Sequence, residues 1–239
     1  MSHVQTRQLI NYNNLETFEI FYQSWLIRQE QYLQELVQAL QCYSNDDEEN
    51  EVKHKELIAK VMDHYAEYSA AKGKIAQENV FLLFKASWLT SYERVYLWIG
   101  GFRPVLACKI LSSLSDLTED QSKRISSLTA QTKKEETELS NLLSRVQESV
   151  VDPRIVALAT HLGQLRNGAN ADTESATEKL RISMEALLEC GDYVREKTVM
   201  EILEILSTPQ ALGFLAAAAQ FQLTVRGYGL RTDANRPSF

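Results

Sequence analysis

A glutamate and a histidine early in the chain have the spacing of a metal site. Glu51 and His54 are three positions apart, which puts a carboxylate and an imidazole on one helix face, as in half of a di-iron site in a helical bundle. A complete site needs a second such pair and two further inward carboxylates, and His3, His64 and His161 lack that spacing. We therefore predict no metal site, and we expect the pair to lie on a solvated helix surface.

The cysteines and the Asp63-His64 pair are the remaining residues that could do covalent chemistry. Cys42, Cys108 and Cys190 are odd in number, lie far apart and form no CxxC motif. This pattern favours neither a disulfide framework nor a zinc site, and it suits a reducing compartment. His161 could act with Cys108 or Cys190 only if the fold brought them together, and the sequence contains no GxSxG, P-loop or GxGxxG motif. We therefore predict no catalytic residue and no enzymatic activity.

The segment Ser91–Pro104 combines aromatic rings, charged side chains and two adjacent glycines. In a structural interpretation the rings fill core volume, the glycines allow a tight turn, and the glutamate pairs with a neighbouring arginine, Arg94 or Arg103. In a functional interpretation the segment is one wall of a pocket in which Arg103 binds a carboxylate through its bidentate fork. Both interpretations involve the same residues, namely Glu93, Arg94, Trp98, Gly100, Gly101, Phe102 and Arg103.

A long first helix is expected to support this segment. Apolar residues recur every three or four positions between Leu15 and Leu40, which predicts a helix with one buried face. Tyr22 and Trp25 belong to that pattern. If they were exposed, these two rings would be natural anchors for a protein partner, so both are candidate partner-binding residues, although the core is the commoner place for such rings.

Two short helices should lie on either side of the glycine pair. The first is predicted to start at Ser91 and to end at Gly100-Gly101, because glycine tolerates the left-handed backbone of a helix end. The second is predicted over Pro104–Ser113, with proline in the first helical turn. No strand-like alternation is sustained. The chain is therefore predicted to be all-α, a single-domain bundle of long helices.

The second half of the chain also has helix signals. Thr118–Gln121 matches a capping box and predicts a helix of about 30 residues that reaches residue 150. A further helix is predicted over Asp152–Leu165. Thr208 is expected to cap the last helix, which carries apolar residues on nearly every side over Ala211–Val225. That helix should therefore be buried centrally.

Composition and charge limit the classes of partner. The chain has 239 residues, a formal net charge of −7 and only nine glycines and four prolines. Few chain breakers favour long helices, and the negative charge repels phosphate backbones and anionic lipids. The start, MSHVQTRQLI, lacks the pattern of a secretory signal, and no apolar stretch of roughly 18 residues occurs. We expect a soluble protein of the nucleus, the cytoplasm or both, with no membrane partner.

The motifs together resemble a domain of plant regulatory proteins. Their order and spacing are similar to those of the domain shared by Delay-of-Germination proteins and the C-terminal half of TGA-type bZIP transcription factors. The aromatic start, Phe21–Leu26, resembles the opening of that domain, so the resemblance covers residues 15–229, between an N-terminal arm (1–14) and a loose tail (230–239). The matching residues are Glu93, Arg94, Leu97, Trp98, Gly100–Pro104, Asp192, Arg195, Thr198, Leu203, Leu206, Thr208, Gln210 and Ala211.

The resemblance implies a helical regulatory domain that binds proteins, in seed dormancy or abscisic-acid signalling. Members of the seed-dormancy branch associate with type 2C protein phosphatases, whereas TGA factors bind DNA through a separate basic zipper. Residues 1–50 hold two basic side chains, Arg7 and Arg28, against eight acids, so we do not expect direct DNA binding. Sequence-specific DNA binding is thus the third of three functional hypotheses. The expected partner is a type 2C protein phosphatase or a bZIP factor.

A small-ligand sensor is the alternative function. The resemblance implies haem or fatty-acid binding in some members, and the haem-binding members carry two histidines one turn apart in the last helix. The matching positions here are Gln222 and Arg226, neither of which is a usual haem ligand, so no cofactor is predicted. An apolar cavity between the long helices, closed by Trp98 and Arg103, would hold a fatty acid. The resemblance also implies dimers, because TGA-like domains form them, so a homodimer of this chain is a further alternative.

Overall fold

Five long helices form most of the structure, a computed structural model that describes residues 3–43, 48–111, 116–150 and 170–235. Over these ranges the chain is almost entirely helical, which confirms the all-α prediction. The seven α-helices are α1 (His3–Gln41), α2 (Glu48–Asn79), α3 (Phe81–Lys85), α4 (Val105–Leu111), α5 (Glu119–Val150), α6 (Asn170–Ile205) and α7 (Thr208–Ala234). A 3-10 helix (Glu93–Tyr96) precedes a small hairpin of β1 (Leu97–Trp98) and β2 (Gly101–Phe102).

The long helices pack as two groups around two clusters of buried residues. Helix α1 packs against α2 and α7, and α5 packs along α6. One cluster includes Trp25 and Trp98, and the other includes Leu36 and Leu212. Complete burial of each such side chain contributes about 1.5–3 kcal/mol to folding. The 3-10 helix and the hairpin therefore lie on a scaffold that apolar burial stabilises.

Helix α7 is buried centrally, as predicted from its apolar sequence. Its N-cap is Ser207, whose backbone N–H donates to Gln210 Oε1 at 3.0 Å, so the prediction of Thr208 as the cap is one residue late. The helix continues to Ala234, past the expected start of a loose tail at residue 230. Asp233 accepts a hydrogen bond from the Ser91 backbone N–H at 2.9 Å, which holds this end of the helix.

The first and fifth helices follow their sequence signals, with one difference. Helix α1 covers the predicted Leu15–Leu40 region but begins at His3, inside the segment expected to be an N-terminal arm. The capping box before α5 is present: Gln121 N–H donates to Thr118 Oγ1 at 3.2 Å, and Thr118 N–H donates to Gln121 Oε1 at 2.9 Å. The helix predicted over Asp152–Leu165 lies outside the described residues.

The glycine pair forms a hairpin turn and does not end a helix. The predicted helix over Ser91–Gly101 is limited to the 3-10 helix, and the chain then turns at Ile99 and Gly100, whose φ angles are +43° and +66°. Positive φ at both central residues is typical of two-residue hairpin turns. The turn pairs Leu97 with Phe102 and Trp98 with Gly101. The predicted helix after Pro104 is confirmed as α4.

Candidate functional site

An arginine of α6 holds the hairpin in place. Arg195 donates from Nε to the carbonyl oxygen of Phe102 at 2.7 Å, and from Nη2 to the carbonyl oxygens of Ile99, at 2.8 Å, and of Trp98. Gly101 lies so close to this guanidinium that an added Cβ would be 2.7 Å from Arg195 Cζ. The glycine is therefore needed where the arginine packs against the hairpin.

A half-buried carboxylate joins α2 to α6 beside that arginine. Asp192 accepts from Lys72 Nζ at 2.6 Å and from Arg195 Nη1 at 2.5 Å. The Lys72 side chain is 3% exposed, and burial lowers the pKa of its amine to about 8, against the opposing attraction of Asp192. Because desolvation offsets much of the attraction in buried ion pairs, the main effect of this cluster is to fix the position of Arg195.

Glu93 is a buried junction between α1, α7 and the 3-10 helix. Its side chain is 0% exposed, and it accepts hydrogen bonds from the Tyr22 hydroxyl at 3.2 Å, the Thr90 backbone N–H at 2.8 Å and Arg226 Nη1 at 3.1 Å. Burial, followed by the charge of Glu93, raises the pKa of Tyr22, which keeps the hydroxyl protonated as a donor. The ion-pair partner of Glu93 is thus Arg226, a residue far along the chain.

This arrangement corrects the expected pairing of Glu93 with Arg94 or Arg103. Arg94 is exposed, and its Nε lies 3.4 Å from the Thr90 carbonyl oxygen. Arg103 is exposed as well and lies 3.8 Å from Glu136 Oε2. Neither guanidinium forms an ion pair with Glu93, which is paired with Arg226.

The two aromatic residues proposed as partner anchors are core residues. Tyr22 and Trp25 are each 1% exposed, so the condition of exposure, on which that role depended, is not met. The Trp25 indole donates to the carbonyl oxygen of His64 at 2.9 Å, and the two rings stack with centroids 4.4 Å apart. The aromatic face of α1 therefore packs on α2 and contributes to stability.

Trp98 and Arg103 do not close the groove that the structure shows between α5 and α6. Trp98 is buried, and its indole donates to Ser140 Oγ at 2.9 Å. The groove has a volume of about 460 Å³ and is open to solvent. Its lining consists of Glu135, Glu138, Leu139, Leu142, Glu189, Cys190, Tyr193 and Val194. Trp98 and Arg103 are not among these residues, so they do not close this groove as the sequence led us to expect.

The residues at the positions of the haem-binding histidines do not fit an iron site. Gln222 Oε1 accepts a hydrogen bond from Gln29 Nε2 at 2.8 Å, and Arg226 is paired with Glu93. An amide and a guanidinium are not usual axial ligands, and both side chains are engaged between α1 and α7. The structure thus gives no support for haem at these positions.

The Glu51 and His54 pair forms part of the junction between α2 and α7. Thr208 Oγ1 donates to Glu51 Oε1 at 2.6 Å, and this hydrogen bond lowers the pKa of the carboxyl. His54 is buried and stacks on Tyr43, with centroids 5.3 Å apart. The expected solvated surface is therefore wrong for His54. Within the described ranges, no cluster of three potential metal-binding side chains occurs.

An exposed row of aromatic rings lies where the 3-10 helix meets α7 and the hairpin. The rings of Tyr92 and Tyr228 are 43% and 54% exposed, the neighbouring Val95 is 75% exposed, and half-buried rings continue the row beyond Tyr92. We call this the aromatic surface. Its members are Tyr92, Val95, Tyr96, Phe102, Phe221 and Tyr228.

Sequence reasoning singled out Phe102 and the segment that contains Tyr92, but it did not identify Tyr92 or Tyr228 as exposed residues of this surface. Phe221 and Tyr228 are seven positions apart, which places them on one face of a helix, and this spacing was the available signal. It was hidden because the segment around Phe221 reads as apolar on nearly every side. The contact between α7 and the 3-10 helix is a tertiary feature: at Gly229, an added Cβ would overlap the Thr90 side chain.

Comparison with known proteins gives one family. A family model described as DOG1, seed dormancy control, matches residues 32–113. That range includes the 3-10 helix, the hairpin and α4.

None of the described helices is both long and apolar enough to cross a membrane.

Relatives extend the similarity over most of the chain. The Arabidopsis thaliana protein RESPONSE TO ABA AND SALT 1 is 35% identical over 225 residues, which cover 90% of this chain and 96% of that protein. Protein DOG1-like 4 of Arabidopsis thaliana is 34% identical over 221 residues, covering 90% and 93%. Transcription factor TGA3 of Arabidopsis thaliana is 29% identical over 210 residues, covering 87% of this chain but 52% of that factor.

Proposed function

Because this chain belongs to the DOG1 family of seed dormancy control, we propose that it is a non-enzymatic regulatory domain that acts by binding a protein partner in plant cells. The relatives are regulatory proteins and transcription factors by name. One is named for its response to ABA, so seed dormancy or abscisic-acid signalling is the proposed setting. The proposed place of action is the nucleus, the cytoplasm or both.

The observation that carries this proposal is the aromatic surface. Tyrosine, tryptophan and arginine are enriched at the centres of protein interfaces, where a few rings supply most of the binding energy. Tyr92 and Tyr228 expose such rings side by side, with centroids 6.2 Å apart. Contiguous exposed apolar surface of this kind is typical of binding sites in soluble proteins.

Buried contacts below the aromatic surface hold its elements in one arrangement, which supports a binding role. Glu93 anchors the 3-10 helix to α1 and α7, and Arg195 anchors the hairpin to α6. A surface held in one conformation loses little entropy when a partner binds. The residues of the family motif would then serve as the frame of the binding surface, with Tyr92 and Tyr228 as its contact residues.

We propose a type 2C protein phosphatase or a bZIP transcription factor as the partner. The bZIP assignment is supported by the TGA relatives, which contain a region similar to this chain in a longer protein. Direct DNA binding is a weaker proposal because the formal net charge is −7 and a chain of this charge repels phosphate backbones. A homodimer is a further partner that the experiment below would detect.

Quantitative affinity purification from developing seeds tests this function. The tagged wild-type protein is compared with the Tyr92→Ala/Tyr228→Ala variant and with Ile182→Ala, a control because Ile182 is a 53% exposed apolar residue outside the aromatic surface and the α5–α6 groove. We expect a phosphatase, a bZIP factor or a second copy to co-purify with the wild type and the control, and to decrease about tenfold with the double variant.

Direct binding of each recovered partner to the purified chain completes the test. Recovery of no protein above an untagged control would contradict the proposed function. So would turnover of a substrate by the purified chain that depends on one of its histidine, cysteine or acidic side chains. Equal recovery with all three forms would keep partner binding but place it on another surface.

A sensor for a small apolar ligand is the second candidate function. The groove between α5 and α6 favours it, because Leu139 and Val194 form a buried floor beneath the exposed Leu142. Native mass spectrometry of the protein purified from plant cells should then show a bound fatty acid. A ligand-free mass, together with no change in melting temperature when palmitic acid is added, would exclude that ligand.

A further inference from the structure

We infer that the aromatic surface binds an acidic segment of a partner protein, one in which carboxylates alternate with apolar side chains. This inference rests on the proposed function and names the chemistry of the partner at that same surface. It follows from three properties of the surface, namely a continuous row of rings that includes two exposed tyrosines, exposed arginine side chains, and a rigid frame.

The rings form a continuous row, as successive centroid distances show. Tyr228 lies 6.2 Å from Tyr92, and Tyr92 lies 6.5 Å from Tyr96. Tyr96 then contacts Phe221 at 5.5 Å and Phe102 at 6.5 Å. Three separate elements, α7, the 3-10 helix and β2, contribute to the row. A short segment of a partner could therefore contact several rings at once and bury apolar side chains among them.

Arginine side chains add positive charge to the row and its borders. Arg231 lies over the Tyr228 ring, with Cζ 4.6 Å from the ring centroid. Arg94 belongs to the same 3-10 helix as Tyr96, and Arg103 follows Phe102; both are exposed. Among the residues that the structure describes, neither Arg94 nor Arg231 has an ion-pair partner within 4 Å. The guanidinium groups of Arg94 and Arg231 are thus available to bind carboxylates as bidentate donors.

The carboxylates closest to the row form no ion pair with Arg94 or Arg231 among the described residues. Glu93 is fully buried and paired with Arg226, which neutralises it below the surface. Asp233 accepts hydrogen bonds from the Ser91 backbone N–H and hydroxyl. Glu136 is buried, accepts from the Val105 backbone N–H at 2.8 Å and lies 3.8 Å from Arg103 Nη1, so it offsets the charge of Arg103 but not that of Arg94 or Arg231. The exposed Arg94 and Arg231, on a chain whose net charge is −7, therefore favour acidic segments over basic ones.

Fluorescence anisotropy with short labelled peptides tests this inference on the full chain. The probe is a peptide in which Asp and Glu alternate with Phe and Leu. One control peptide has Lys in place of every acid, and a second keeps the acids but has Ser in place of Phe and Leu. We expect saturable binding of the probe that weakens as NaCl is raised, and at least about tenfold weaker binding of both controls.

Variants of the chain locate the binding site. Tyr92→Ala/Tyr228→Ala is expected to weaken probe binding about tenfold, and Arg231→Gln several-fold with a smaller dependence on NaCl. Ile182→Ala and Arg145→Gln are the matched controls, because both residues are exposed and lie outside the aromatic surface and the α5–α6 groove, and these variants should bind as the wild type does. Circular dichroism melts of all variants separate loss of binding from loss of folding.

Several outcomes would overturn the inference. They are no saturable binding of the probe, tighter binding of the Lys peptide, or unchanged binding by a folded Tyr92→Ala/Tyr228→Ala variant. Tyrosine-dependent binding to phosphatidylserine vesicles that exceeds probe binding would assign the surface to lipid and also overturn it. Each of these results leaves the proposed function intact if the seed purification still recovers a partner, so the two failures can be told apart.

Discussion

The Nε atom of Arg195 lies 2.7 Å from the carbonyl oxygen of Phe102, although 93 positions separate the two residues in the sequence. Two further carbonyl oxygens of the same hairpin, those of Trp98 and Ile99, accept from Nη2 of the same guanidinium. Arginine has five donors in a fixed planar fork and can therefore serve several acceptors at once. The position of Phe102 in the aromatic surface thus depends on a side chain of α6.

Replacement of Arg195 by lysine is expected to destabilise the protein. The lysine amine is a compact donor that cannot reproduce the fork, so buried carbonyl oxygens lose their partners and the free energy of unfolding decreases by about 2–4 kcal/mol. Urea unfolding at neutral pH measures the change. Arg145→Lys is the control, because Arg145 is exposed on α5 and its replacement should cost less than about 0.5 kcal/mol. Equal losses in the two variants would contradict this role of Arg195.

The cluster around Asp192 should respond differently to removal of its anion and of one cation. In Asp192→Asn, the buried Lys72 and Arg195 lose their shared carboxylate, and the free energy of unfolding should decrease by about 3–5 kcal/mol. In Lys72→Met, Asp192 keeps its 2.5 Å ion pair with Arg195, and a change within about 1 kcal/mol is expected. Chemical denaturation of both variants checks the contrast. A larger loss in Lys72→Met than in Asp192→Asn would refute it.

The same substitution at two glycines should have opposite effects on stability. Gly100 has a φ of +66°, and an added Cβ would overlap Leu188 Cδ1, so Gly100→Ala should cost about 1–3 kcal/mol. Gly73 lies inside α2, and an added Cβ would meet nothing within 4 Å. Gly73→Ala should therefore stabilise the protein by about 0.5–1 kcal/mol. Thermal melts followed by circular dichroism test both variants, and a shift of the same sign in both would contradict the expectation.

Helices with local signals were predictable from the sequence, and the hairpin was not. The capping box at Thr118 and Gln121 requires only residues within one turn, and it starts α5 where expected. The hairpin depends on the positive φ of Ile99 and on three carbonyl contacts with Arg195. A bulky residue rarely takes positive φ, and spacing does not show which distant side chain will stabilise it.

The candidate site was harder to predict because periodicity shows which face of a helix is apolar but does not show what covers it. Tyr22 and Trp25 repeat at core spacing, and α2 and α7 bury that face. Tyr92 and Tyr228 lie side by side only after α7 packs against the 3-10 helix. Glu93 was identified as a paired residue, but its partner, Arg226, comes from the opposite end of the chain.

His64 should make the stability of the protein depend on pH. Burial, with the charge of Arg28 added, lowers the pKa of its imidazole to about 4. Below about pH 6.5 the unfolded chain binds a proton that the folded chain does not, so stability falls as the pH decreases towards 4. Between about pH 7 and pH 5, urea unfolding should show that the wild type loses about 1–2 kcal/mol more than His64→Phe. Gly73→Ala, which retains His64, should follow the wild type. Identical losses in the wild type and His64→Phe would mean that the folded protein protonates this imidazole as readily as the unfolded chain does.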